Sequence, residues 1–171
     1  MRVPGILIRE TAALIVRNGQ SSITVNEILE YSGVSRGAMF HHFGCKQDLV
    51  DATFSFWLQS FNLEVERRML ASGPRLGSFT DAYVASVSEG CKRHDVAMLS
   101  ALLIRLDLTQ VSASRWMSWM TRKLAVEPGE ADDFQLFSRR LAADGLWLSC
   151  LCAPGPSSDP QAGEVDFEYS R

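Results

Sequence analysis

With 171 residues, the chain suits one compact unit or a small domain joined to a larger one. Hydrophobic residues make up 46% and charged residues 22%, and no apolar run approaches the roughly 20 residues of a membrane span. The net charge of −3 argues against a protein that simply coats nucleic acid; residues 1–50 carry +1 and the remainder −4, an asymmetry too weak to assign a partner by itself.

The N-terminus has no signal-peptide pattern, so a cytoplasmic location without membrane contact is expected. Cys45, Cys91, Cys150 and Cys152 show no CxxC spacing and read as reduced thiols, the last two as core packing in an apolar helix.

In chain order, Leu7, Thr11 or Ala12, Leu14 and Ile15 give one apolar face to a helix over 6–18, with Arg9, Glu10 and Arg17 on its wetter side. Thr24 with Glu27 three positions later has the capping-box spacing, and Val25, Ile28 and Leu29 continue a short helix to about residue 31. Gly33 stops it. Ser35 opens a second short helix, whose buried side is expected at Met39, Phe40 and Phe43. Two short helices around a glycine turn make a helix-turn-helix, and its second helix can enter a DNA major groove. Arg36 there could reach a guanine edge or a phosphate, or stand in solvent. His41, His42 and Cys45 are too few for a structural metal site, and neither metal nor cofactor is expected.

Residues 6–54 resemble the N-terminal DNA-binding domain of TetR-family transcriptional regulators. The likeness runs through Asn18-Gly19, Thr24-Val25, Glu27-Ile28 and Gly33-Val34-Ser35-Arg36-Gly37 to Phe40-His41-His42-Phe43, Lys46 and Leu49. It implies that Thr24, His42 and Lys46 meet backbone phosphate, and that Ser35, Arg36, Gly37, Ala38 and His41 face bases. The sequence departs at Phe40, where the family usually has tyrosine with a hydroxyl aimed at phosphate, and at Ala38, where a polar residue is common.

A long amphipathic helix follows from residue 45 or 46 to about 71, its buried stripe expected at Leu49, Thr53, Phe56, Trp57, Ser60, Phe61 and Leu63. Further helices are read over 79–93, 95–106, 112–126 and 131–152, and the tail beyond 153 has a disordered composition. The fold class is therefore all-α: an N-terminal three-helix head (1–47) and a C-terminal helical domain (48–153) for ligand binding and dimerisation.

Trp57, Phe61, Tyr83, Met98, Leu102, Arg105, Trp116 and Met120 could be core or the wall of a pocket. The resemblance favours a pocket for a small apolar or aromatic effector. It also makes the segment around Asp144, Gly145 and Leu148, with Phe137 and Leu141, a dimer interface. The expected function is a dimeric repressor, partnered by double-stranded DNA with a pseudo-palindromic operator and by an effector. The alternative is a dimeric DNA-binding protein without one. No nucleophile–base pair, metal cluster or phosphate loop is visible, so no enzyme is expected.

Overall fold

The computed structural model describes residues 2–93, 110–126 and 128–152, and their regular structure is entirely helical. The helices are α1 (Val3–Asn18), α2 (Val25–Ser32), α3 (Arg36–His42), α4 (Lys46–Ser72), α5 (Ser78–Arg93), α6 (Gln110–Leu124) and α7 (Phe134–Cys152). The helix read over 95–106 and the tail lie outside the described residues.

α1 begins three residues earlier than its periodicity indicates, because Pro4 fits a first helical turn, where no N–H partner is needed. It packs across α2 and α3. Leu7, Leu14, Ile15, Ile23, Ile28 and Met39 are each at most 1% exposed, so the head has its own core. Burying one such side chain is worth about 1.5–3 kcal/mol.

α4 belongs to both halves. Its first turn is tied to the head by Lys46 Nζ donating to Ile23 O (3.0 Å) and Gln20 Nε2 donating to Gln47 Oε1 (3.2 Å). Farther along, Phe61 meets the rings of Tyr83, Trp116, Trp119 and Trp147. The buried stripe is Leu49, Val50, Thr53, Phe54, Leu58, Phe61 and Val65. That corrects the expected one: Ser60 and Leu63 are exposed, and Phe56 and Trp57 are only partly covered. The stripe turns as α4 passes from one partner, α1, to others, α5 and α6, so no single straight face describes it.

Cysteine also needs correcting. Cys45 is a free, exposed thiol, but Cys91 on α5 is disulfide-bonded. Spacing in sequence gave no warning of it, since no CxxC pattern includes Cys91. The Cys91 sulfur lies beside the carbonyl of Leu146 on α7.

α5 and α7 are joined by buried polar groups. Glu130, fully buried in the turn before α7, accepts from Gly77 N (3.0 Å) and Thr80 N (2.7 Å), closing the start of α5. Arg140, 5% exposed, donates to Thr80 Oγ1 (2.6 Å) and to Glu130 O (3.3 Å). α7 itself starts at Phe134, three residues later than expected, with Asp133 Oδ1 accepting from Leu136 N (2.9 Å).

One turn beyond Arg140, the Tyr83 hydroxyl donates to Asp144. Burial pushes the Asp144 carboxyl above its ordinary value, while the Tyr83 hydrogen bond and Arg140 act in the opposite direction. A raised folded-state pKa gives a contribution that is fully present below the unfolded pKa and lost as pH rises through the folded one. Asp144→Asn, which keeps an acceptor for Tyr83, should therefore unfold at a higher temperature than the parent at neutral pH. The gain should vanish below the ordinary aspartate pKa. Circular dichroism melts across that range test this, and a lower melting temperature at neutral pH would count against burial as the dominant cause.

Candidate nucleic-acid interface

The capping box at the start of α2 is complete. Glu27 N donates to Thr24 Oγ1 (3.2 Å), and Thr24 N donates back to Glu27 Oε2 (2.7 Å). The Thr24 hydroxyl donates to the same carboxylate oxygen (2.8 Å), and this bond with the backbone one holds Glu27 below the usual carboxylate range. For Thr24 to meet a phosphate with its hydroxyl, that hydrogen must change acceptor.

Gly33 ends α2 in the left-handed region (φ 64°), the conformation that side chains with a Cβ disfavour, and its N–H donates to Leu29 O (3.0 Å). The chain then re-enters a helix with Ser35 as N-cap, its hydroxyl accepting from Ala38 N (3.2 Å). On α3, Met39 points into the head core and is fully buried. Ser35, Arg36, Gly37, His41 and His42 are exposed, and Ala38 is half-buried. Phe40, expected on the buried side, is instead 41% exposed and stands on the outward surface. In a seven-residue helix only Met39, with Phe43 at the C-cap, reaches the core, which leaves the adjacent position outside.

Arg36 is steadied by Asn26 of α2, whose Oδ1 accepts from Nη2. Sequence reasoning passed over Asn26, since an asparagine in a first helical turn has no motif of its own. The two histidine rings meet edge to face, 5.1 Å between centroids. Lys46 reaches back to Ile23 O, which puts its ammonium beside Thr24 at the entry of α2. Thr24 and Lys46, 22 positions apart, are thus brought together, while His41 and His42 lie at the far end of α3. At the start of α4, Cys45 and Asp48 exchange capping bonds, Cys45 N to Asp48 Oδ2 (3.1 Å) and Asp48 N to Cys45 Sγ (3.4 Å). A Cβ on Gly44 would lie 2.9 Å from that Asp48 oxygen. Arg17 stacks over the exposed Tyr31 ring at 4.8 Å, a contact that sequence spacing did not reveal.

This is the layout of a head that presents one short helix, with cations on either side of it. Residues 7–53 match the family described as bacterial regulatory proteins, tetR family, and residues 77–165 match the family described as tetracyclin repressor-like, C-terminal domain. The chain belongs to the TetR family. It is 26% identical to the HTH-type transcriptional regulator BetI of Pectobacterium carotovorum subsp. carotovorum (strain PC1), over 95% of this chain and 89% of the relative. The protein is thus a DNA-binding transcriptional regulator. Among the described residues no helix is long and apolar enough to cross a membrane.

In the C-terminal domain typical of the TetR family, Phe61, Tyr83 and Trp116 come together with Phe79, Trp119 and Trp147 in one aromatic core. Tyr83 is fully buried and Phe61 is 7% exposed. Trp57 and Met120 pack against this core from partly buried positions, and Met98, Leu102 and Arg105 lie outside the described residues. Burial pushes the Tyr83 phenol well above its usual range, the charge of Asp144 adding to the effect, so it stays a hydrogen-bond donor. Of the residues expected at a dimer interface, Phe137, Leu141, Gly145 and Leu148 are exposed on α7, whereas Asp144 turns inward to Tyr83.

Proposed function

We propose that the protein is a homodimeric cytoplasmic repressor that holds a pseudo-palindromic operator and releases it when a small apolar or aromatic effector enters the C-terminal domain. The observation that carries this reading is the uncovered apolar stripe on α7 in a chain with an outward-facing recognition helix. Phe134, Phe137, Leu141 and Leu148 are 73%, 45%, 52% and 56% exposed. Contiguous exposed side chains of this size mark an association surface. Among the described residues, nothing beyond the helix's own backbone and the two neighbouring residues lies within 4 Å of a Cβ on Gly145, so a second helix could come close there. Two copies of α6 and α7 packed about a two-fold axis would make a four-helix bundle. The same axis would set two recognition helices about 34–36 Å apart, one DNA turn.

Support for the effector comes from the aromatic core. The indole nitrogens of Trp57 and Trp147 and the hydroxyl of Ser86 are buried and have no hydrogen-bond partner among the described residues. Each such group costs about 1–3 kcal/mol, which a ligand carrying suitable partners would recover.

Analytical ultracentrifugation, alone and with operator fragments selected from the source genome, tests the reading. The parent should sediment as a dimer and protect an inverted repeat. Leu141→Asp, which puts a charge in the middle of the stripe, should be a folded monomer that no longer protects both half-sites. A monomeric parent, or a Leu141→Asp variant that remains dimeric, would remove the α7 interface from the proposal.

A further inference from the structure

Between α4 and α6 lies an open groove of about 440 Å³, on the outer side of Trp119 of the aromatic core, that the regulator reading leaves without a role. Its walls follow helical spacing on both sides, with Leu58, Gln59 and Asn62 from α4 and Arg115, Trp119 and Arg122 from α6. Leu58 and Trp119 are buried and form the floor, while the rest of the wall is polar. Among the described residues no carboxylate lines it, so the two guanidinium groups face no opposing charge from them within the groove.

The arginines are held differently. Arg115 Nη1 donates to Asp51 O (3.1 Å) and to Ser55 Oγ, which fixes its guanidinium at the end nearer the head. Arg122 has no ion pair or hydrogen bond with any described residue. Asn62 Oδ1 accepts from Trp119 Nε1 (2.8 Å), and its N–H₂ is hydrogen-bonded to Glu66, so the amide is held from both ends. Lys123, the residue after Arg122, is paired with Glu66.

We infer that this groove is a binding site for a small organic acid with two separated anionic groups, one on Arg115 and one on Arg122. Seven residues along a helix is about 10 Å, and Arg115 is held at the Asp51 and Ser55 end, so two separated anionic groups suit this pair of arginines better than one compact ion. A volume of about 440 Å³ suits such a molecule. Its polar or methylene middle would lie over Trp119 and Leu58, and its ends would each take the planar fork that guanidinium offers a carboxylate. Use of the site as an effector site rests on the regulator reading above; binding itself does not.

Isothermal titration calorimetry of the full chain without DNA, at fixed ionic strength, tests this. The probes are succinate, adipate and suberate, with acetate and inorganic phosphate as compact anions. Adipate or suberate should bind saturably and more tightly than acetate or phosphate. Arg122→Gln should weaken that binding by about tenfold or more, as expected on losing a charge-assisted pair. Because Arg122 has no partner within the described chain, this variant should keep the parent's circular dichroism and melting temperature. Arg115→Gln also loosens α4 from α6, so Arg122→Gln carries the decision. Parent-like binding by Arg122→Gln, equal affinity for phosphate and adipate, or no saturable binding of any diacid would overturn the inference. Operator binding is measured separately, so failure of the DNA reading leaves this result interpretable.

Discussion

Glu130→Ala is expected to destabilise the protein by about 3 kcal/mol, which for a chain of this size lowers the unfolding midpoint by about 6–12 °C. Glu130 is fully buried and both carboxylate oxygens are engaged, one by Gly77 N and one by Thr80 N. These are N–H groups at the start of α5, where a helix has donors without intrahelical partners and a positive dipole end. Alanine would strand both donors in a space closed to water. It would also remove the negative charge beside Arg140, which is 5% exposed and bonded to Thr80 Oγ1 and the Glu130 carbonyl. Stripping charge from beside a buried cation, even with the Asp144 carboxyl still within its reach, is among the few mechanisms that exceed the usual range for single substitutions. By contrast, Arg75→Ala, which breaks the half-exposed pair with Asp81 and an exposed 3.3 Å bond to Leu76 O, should stay within about 1 kcal/mol, since Arg139 still reaches that carboxylate. Chemical denaturation of the two variants side by side checks the ordering. Equal effects would mean that the Glu130 site is not closed to water.

The head was more legible in sequence than the C-terminal domain, for a physical reason. Its signals are local: Thr24 and Glu27 are three residues apart, Gly33 supplies its own backbone conformation, and Ser35 caps the turn that follows. The α4 start was placed within one residue for the same cause. What escaped depends on contacts between distant segments. Glu130 reads as an unremarkable acid after a Pro-Gly break, yet it closes a helix 50 residues earlier. Asn26 holds Arg36, and Arg115 holds the carbonyl of Asp51, with no periodicity to announce either. Phe40 shows the limit of pattern reading from the other side. An aromatic residue in an amphipathic context suggests burial, but hydrophobicity does not decide the face on a helix of two turns. The aromatic residues of the C-terminal half were recognised as a group, and the structure joins several of them in one core.

The second large effect concerns the recognition surface. Arg36→Ala should weaken operator binding by about 1–3 kcal/mol, roughly 5- to 150-fold, and relax preference at the base pair it faces. Asn26 now accepts from Arg36 Nη2, which limits the rotamers of a long, exposed side chain before DNA arrives. Part of the ordering cost of a specific contact is then already met in the free protein. Asn26→Ala should accordingly reproduce a fraction of the Arg36→Ala loss without any contact of its own. Lys46→Ala should behave differently. Its ammonium donates to Ile23 O at the entry of α2 and has two further hydrogens for a phosphate. Losing one phosphate contact should weaken all sequences evenly and reduce the slope of log K against log salt by about 1. Fluorescence anisotropy on operator and scrambled duplexes, across a salt series, separates the two. An unchanged salt slope for Lys46→Ala would remove Lys46 from the phosphate contacts. Unchanged discrimination for Arg36→Ala would mean that Arg36 positions the head and that the bases are read by the remaining exposed residues of α3.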